Sequence, residues 1–196
     1  MQKSDKLLKA FREFDAANAK DPNTESFGGK TYPKELLYSM RMTEKLNEFE
    51  PHASEALQLT ARCQHIRRWE IPREDYPMDR VGYLRWRQDL KKFHAEIAAE
   101  ILEKVGYPEE TTARVAFLLQ KKKLKRDPET QTLEDVICLV FLQYYLEDFA
   151  QKHPEDKLAD ILRKTWNKMS ASGREAAHKL PLSEKMFLLL DKALNR

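Results

Sequence analysis

Glycine occurs only five times in the 196 residues, and no Asn-Gly or Asp-Gly pair offers a tight two-residue hairpin. That scarcity argues against a sheet-rich fold. It also removes the Gly-rich phosphate loop, and no HExxH zinc helix or Gly-x-Ser-x-Gly elbow is present. Cysteine is rarer still: Cys63 and Cys138 stand far apart among apolar neighbours, which favours buried thiols over a disulfide or a Cys-rich zinc site. No apolar run approaches the roughly 18 residues of a membrane span. The opening "MQKSDKLLKAFREFDAANAK" lacks an apolar signal core and a small-residue cleavage site. The expectation is a soluble, cytoplasmic protein with no membrane partner. Excess charge of one sign is missing too, since 35 basic residues face 32 acidic ones for a net +3. A histone-like, charge-driven nucleic-acid binder is thereby excluded.

What is present is enough apolar material for a core, 41% of residues, under a strongly charged exterior at 34%. Apolar residues recur at three- and four-residue spacing almost throughout, so the expected fold is one compact, all-α, multi-helix domain over residues 1–196. Ser4 is positioned to cap a first helix bearing Leu7, Leu8, Phe11 and Phe14, and "DPNTESFGGKTYP" is expected to be a loop. Pro33 opens a second helix; a third runs from Ser54 until Pro72 stops it, with His65 and several arginines in its last turns. A long helix spans about Val81 to Val105 and is ended by Gly106. After a short helix comes the solvated run "KKKLKR". Thr132 then opens a central helix, and three more begin near Pro154, Ser172 and Ser183.

The positive charge is focused. Seven of the chain's arginines lie between Arg62 and Arg87 (Arg62, Arg67, Arg68, Arg73, Arg80, Arg85 and Arg87), and no lysine occurs from Leu46 to Leu90. A merely solvated basic face would mix in lysine, whereas arginine suits bidentate contact with phosphate or carboxylate and stacking on aromatic rings. Trp69, Tyr76, Tyr83 and Trp86 are interleaved with it. An anion carrying a flat group, such as a nucleotide, would find both contacts here, with Arg67, Arg68, Arg73, Arg87, Trp69 and Trp86 as the binding residues. The alternative is an internal network pairing these arginines with Glu70, Glu74, Asp75, Asp79 and Asp89.

Three further polar residues fall beside apolar stripes on three helices: His65, His94 and Asp135. Histidine and carboxylate are what a divalent metal needs, and packed helices can bring them together. Each also has a plain alternative as a hydrogen-bonded core residue, and Asp135 in "TLED" fits a capping-box acid. The runs "LQLTARCQHI", "FHAEIAAEILEKVGY" and "LKRDPETQTLEDVICLVFL" resemble the HD-domain superfamily, helical metal-dependent phosphohydrolases. That resemblance implies an HD-domain-like fold in which His65, His94 and Asp135 are metal ligands and catalytic residues. Ile66 stands where the family's paired aspartate would be, and Tyr38 or Ser39 where its first histidine would be, so the usual ligand set is incomplete.

The segments "DAANAKDPN", "YPKELLYSMRMTEKL", "ARCQHIRRWEIPR", "YPMDRVGYLRWR" and "LRKTWNKMS" resemble, over nearly the whole chain, a family known as domain of unknown function 4202. Some of its members are labelled glutamyl-tRNA synthetase, and "HIRR" and "KMSAS" echo the class I synthetase signatures. Those signatures work on a parallel-sheet nucleotide fold, and nothing here alternates strand with helix. Three functions are therefore expected of this chain: metal-assisted hydrolysis of a phosphorylated or nucleotide-like small molecule, a non-catalytic, arginine-lined module that binds a nucleotide or RNA, or a protein-interaction domain whose basic face meets an acidic partner.

Overall fold

The computed structural model describes residues 4–194 and divides into two compact units. The first holds the chain up to Asn47 together with Pro51–Lys122; the second holds Glu48–Glu50 and the chain from Lys123 onward. Among the described residues there are ten α-helices and one two-stranded hairpin, and no helix is long and apolar enough to cross a membrane.

In the first unit, α1 (Asp5–Asn18) starts where the Ser4 hydroxyl accepts from Leu7 N at 3.1 Å. Its face of Leu7, Phe11 and Phe14 packs with Leu59 and Cys63 of α3 (Glu55–Cys63). Ala98 and Leu102 of α4 (Arg80–Val105) and Val115 and Leu119 of α5 (Glu109–Leu119) complete this core. Gly106, left-handed at φ 93°, ends α4.

The segment expected to be a loop forms a hairpin instead, β1 (Thr24–Phe27) against β2 (Lys30–Pro33). Gly28 and Gly29 both take positive φ in its turn, which the right-handed twist of paired strands favours and other residues rarely adopt. Arg41 of α2 (Lys34–Phe49) anchors the hairpin, pairing with Glu25 while its guanidinium lies 4.8 Å from the Phe27 ring centre.

The third helix is much shorter than its pattern predicts. It ends at Cys63, and the chain passes through a turn with Arg67 left-handed at φ 52° into two 3-10 turns, Arg68–Glu70 and Arg73–Asp75. His65 and Arg67 therefore stand in irregular backbone after the helix rather than in its last turns.

In the second unit, α6 (Pro128–Val140) is capped by Asp127, whose carboxylate accepts from Thr130 N at 2.9 Å, so the helix begins a turn before Thr132. A five-residue π turn, Phe141–Tyr145, separates it from α7 (Leu146–Lys152). Cys138, Leu142 and Leu146 pack with Leu162 of α8 (Glu155–Lys168), Ala177 of α9 (Ala171–Ala177) and Leu190 of α10 (Glu184–Leu194). Between α5 and α6, Lys121, Lys123 and Lys125 all adopt positive φ, an uncommon state for side chains with a Cβ.

Candidate functional site

The polar residues of "DAANAKDPN" assemble a corner of the first unit. Asp21 Oδ2 accepts from Glu35 N at 3.0 Å and so fixes the first turn of α2. Asn18, almost fully buried, donates from Nδ2 to the Glu35 carbonyl at 3.4 Å and accepts at Oδ1 from Arg67 N at 3.0 Å. One amide thus holds the start of α2 and the left-handed turn at Arg67 together. Asp15 takes the Arg62 guanidinium bidentately, at 2.7 and 2.6 Å, which ties α3 to α1.

Glu35, His65, Arg68 and Tyr38 meet in that corner. Glu35 Oε2 lies 3.3 Å from His65 Nδ1, and Oε1 lies 4.0 Å from Arg68 Nε. The His65 ring stacks on Tyr38, one turn beyond Glu35 on α2, with centroids 4.1 Å apart and planes within 10°. Arg68 Nη1 is 3.2 Å from His65 Nε2. A guanidinium only donates, so Nε2 accepts and the ring proton sits on Nδ1, toward Glu35. Burial is the main force holding His65 neutral, and the charges of Arg68, Arg87, Lys121 and Lys34 all add to it. Burial likewise raises the Glu35 carboxyl, against the pull of Arg68 and Lys34.

His94 on α4 stands next to this corner, its ring centre 6.0 Å from that of His65. Its Nδ1 is 2.8 Å from the Ile66 carbonyl, an acceptor only, so the proton is on Nδ1 and Nε2 keeps its lone pair. Burial first, then the neighbouring His65, depress its pKa to about 3.

The arginines divide into those with internal partners and those without. Arg67 is closed on Glu70 by two bonds of 2.6 Å. Arg73 donates to the Tyr76, Pro77 and Asp79 carbonyls at 2.9, 2.7 and 3.3 Å, which clamps the loop before α4. Arg68 lies 5.0 Å from the Trp86 ring centre; Trp86 is 7% exposed, donates to the Ile71 carbonyl at 2.9 Å and serves as a buried platform under the guanidinium. Trp69 is half-buried in the 3-10 turn Arg68–Glu70. Arg87, half-buried on α4, makes no hydrogen bond or ion pair with a described residue. Burial makes Arg68 easier to deprotonate, and the like charge of Arg87 adds to that while Glu35 opposes it.

Asp135 belongs to the second unit and is engaged there. Its Oδ1 accepts from Ser170 N at 2.8 Å and from Gln131 Nε2 at 3.2 Å, and its Oδ2 from Ser170 Oγ at 2.6 Å. Ser170 in turn caps α9 through Gly173 N. A Cβ at Gly173 would fall 2.5 Å from Asp135 Oδ1, so a larger residue there would have to displace the carboxylate. The cap of α6 is Asp127, and Asp135 stabilises a different helix from the one its "TLED" setting implies.

The structure thus brings His65 and His94 together with Arg68 and places Asp135 in the other unit. Among the described residues no three His, Cys, Asp or Glu side chains are gathered to hold a metal ion. The donor chemistry at His65 does not fit a divalent cation either: Arg68 occupies its acceptor, and four cations act on that ring against a single carboxylate. Glu35 is the residue that sequence reasoning missed, because "YPKE" reads as an ordinary first-turn acid. Its signal lies in the polar run before the hairpin.

Comparison with known proteins gives one result. The model of a family described as domain of unknown function (DUF4202) matches residues 8–190. No curated protein and no solved structure matches the chain.

Proposed function

The chain belongs to the DUF4202 family, and we propose that its first unit is an anion-binding module for a phosphorylated, nucleotide-like small molecule. The observation that carries this reading is the charge left over in the corner. Arg68, Arg87 and Lys34 act on His65, whereas Glu35 is the one carboxylate paired with that ring, and burial weakens its ionisation. A closed internal network would neutralise its cations, as Asp15 does for Arg62 and Glu70 for Arg67. In this reading Arg68 and Arg87 take the phosphate, and Tyr83, exposed with its ring centre 5.9 Å from that of Trp86, offers a flat face to the base. Trp86 acts beneath them as support.

Calorimetry with adenosine and guanosine monophosphates tests this directly. Arg87→Ala is expected to weaken binding by about ten- to a hundredfold, the range of a charge-assisted hydrogen bond worth roughly 1.5–3 kcal/mol. Added salt is expected to weaken the native complex. Absence of binding to either nucleotide, or equal affinity in the variant, overturns the proposal.

The rival is metal-assisted phosphoester hydrolysis with a metal held first by His94, since Arg68 already occupies the acceptor of His65. The lone pair on His94 Nε2 is the observation in its favour. Elemental analysis of native protein beside His94→Ala decides between the two: stoichiometric transition metal that the variant loses would replace the binding module with the hydrolase.

A further inference from the structure

The end of the loop before α4 and the first turns of that helix carry the most exposed apolar side chains of the first unit. Met78 is 79% exposed, Val81 74% and Leu84 53%. At 3.6 residues per turn the exposed arc of this helix runs in the order Arg80, Leu84, Gln88, Val81, Arg85, an apolar strip with an arginine on each side. Neither Arg80 nor Arg85 forms an ion pair with a described residue, and no carboxylate occurs from Arg80 to Gln88. The two flanking acids are committed: Asp79 accepts from Gly82 N as the helix cap, and Asp89 accepts from the Tyr76 hydroxyl.

This arrangement works against local stability. A helix N-terminus favours acids, yet the first turn of α4 has none and begins with Arg80. The strip is also rigidly presented. Arg73 fastens the loop that carries Met78 through three backbone carbonyls, and Gly82 lets Pro77 pack where a Cβ would lie 2.1 Å from the Pro77 carbonyl oxygen. Exposed apolar side chains on a pinned loop and a helix, bordered by unpartnered arginines, make a preorganised surface.

We infer that this face is a docking surface for an acidic amphipathic helix of another protein, which seats its apolar row on Met78, Val81 and Leu84 and its carboxylates on Arg80 and Arg85. The chemistry selects that partner. A second copy of the chain in a two-fold pair would set arginine against arginine. A nucleic-acid backbone would leave the apolar strip uncovered. A helix with a carboxylate border satisfies both at once, and Met and Arg are enriched at such interfaces.

The experiment is a selection of phage-displayed helical peptides on the full chain, with a Val81→Glu, Leu84→Glu double variant as the counter-target. Both positions are exposed, so the variant is expected to keep the native circular dichroism and melting curve. Enriched peptides should show apolar residues at three- and four-residue spacing bordered by Asp or Glu, and should bind the native chain at least about tenfold tighter than the variant. Peptides without acids, equal affinity for the variant, or no enrichment each overturn the inference. Vesicles of equal parts phosphatidylcholine and phosphatidylserine run in parallel, and retention that only the native chain shows, in the absence of peptide enrichment, would assign the face to a lipid surface instead.

Discussion

The His65 corner of the first unit and the Asp135 corner of the second are each built on a buried carboxylate, and they differ in what surrounds it. Asp135 receives three hydrogen bonds from an amide, a hydroxyl and a backbone N–H, all neutral donors that it satisfies in return. Nothing is left over. Glu35 faces a histidine and an arginine, with further cations acting on the same ring and one half-buried arginine that has no carboxylate at all. The Asp135 corner closes its hydrogen bonds on itself, and the proposed anion site is the corner in which cations outnumber carboxylates.

Acid should separate the two corners most strongly. His65 and His94 are both held neutral in the folded state, so the unfolded chain takes up protons first. Their contribution is complete above the ordinary value of 6.5 and is lost as pH falls toward about 3, the folded value for His94. The slope is up to about 1.4 kcal/mol per pH unit for each histidine. Glu35, raised from 4.5, works the other way over the window just above that value, because what it contributes when protonated is lost as pH rises. The histidines prevail. The Trp86 indole resonance, which reports the first unit, should lose its folded position on acidification before the Trp166 resonance of the second, and loss in the reverse order breaks the comparison.

Asp135→Ala should cost the second unit about 2 kcal/mol, since it strands a half-buried hydroxyl and a backbone N–H that the carboxylate held. Urea unfolding measures the loss, and nucleotide affinity should stay unchanged. A cost below about 1 kcal/mol would show that Ser170 finds another acceptor. Arg73→Lys should have the smallest effect, about 1 kcal/mol, because an ammonium cannot reach three carbonyls in one plane. Faster amide hydrogen exchange over residues 76–79, with anion binding intact, would place Arg73 in the loop clamp alone.

Much of the helical framework was legible because its signals are local. Ser4 and Ser54 cap the helices they precede, and Gly106 stops the long one. The hairpin was also within reach through its Gly-Gly pair, a weaker turn signal than the Asn-Gly and Asp-Gly pairs that are absent. Other features have no local signature. The third helix breaks at Cys63, well before Pro72, because the left-handed Arg67 is held by Asn18, 49 positions away. The arginine cluster was visible as a composition, but its division into paired and unpaired members was not. Arg62 finds Asp15 at a separation of 47, and Glu35 meets His65 only because Asn18 and Asp21 fix where α2 starts. The capping-box reading of Asp135 fails because Asp127 caps that helix, while the partner of Asp135, Ser170, lies 35 residues downstream.

The double hold of Asn18 on the Glu35 carbonyl and the Arg67 amide also sets an order of events during synthesis. Every residue of the corner, from Asn18 through His94, is synthesised before the first helix of the second unit. The nascent chain can begin to dock α1 on α3 and close the His65 turn while its downstream half is still being translated, in the amino-terminal-first manner of chains with more than one folding unit. A lesion at Asn18 would then be felt early, as a growing chain that stalls in a protease-sensitive state.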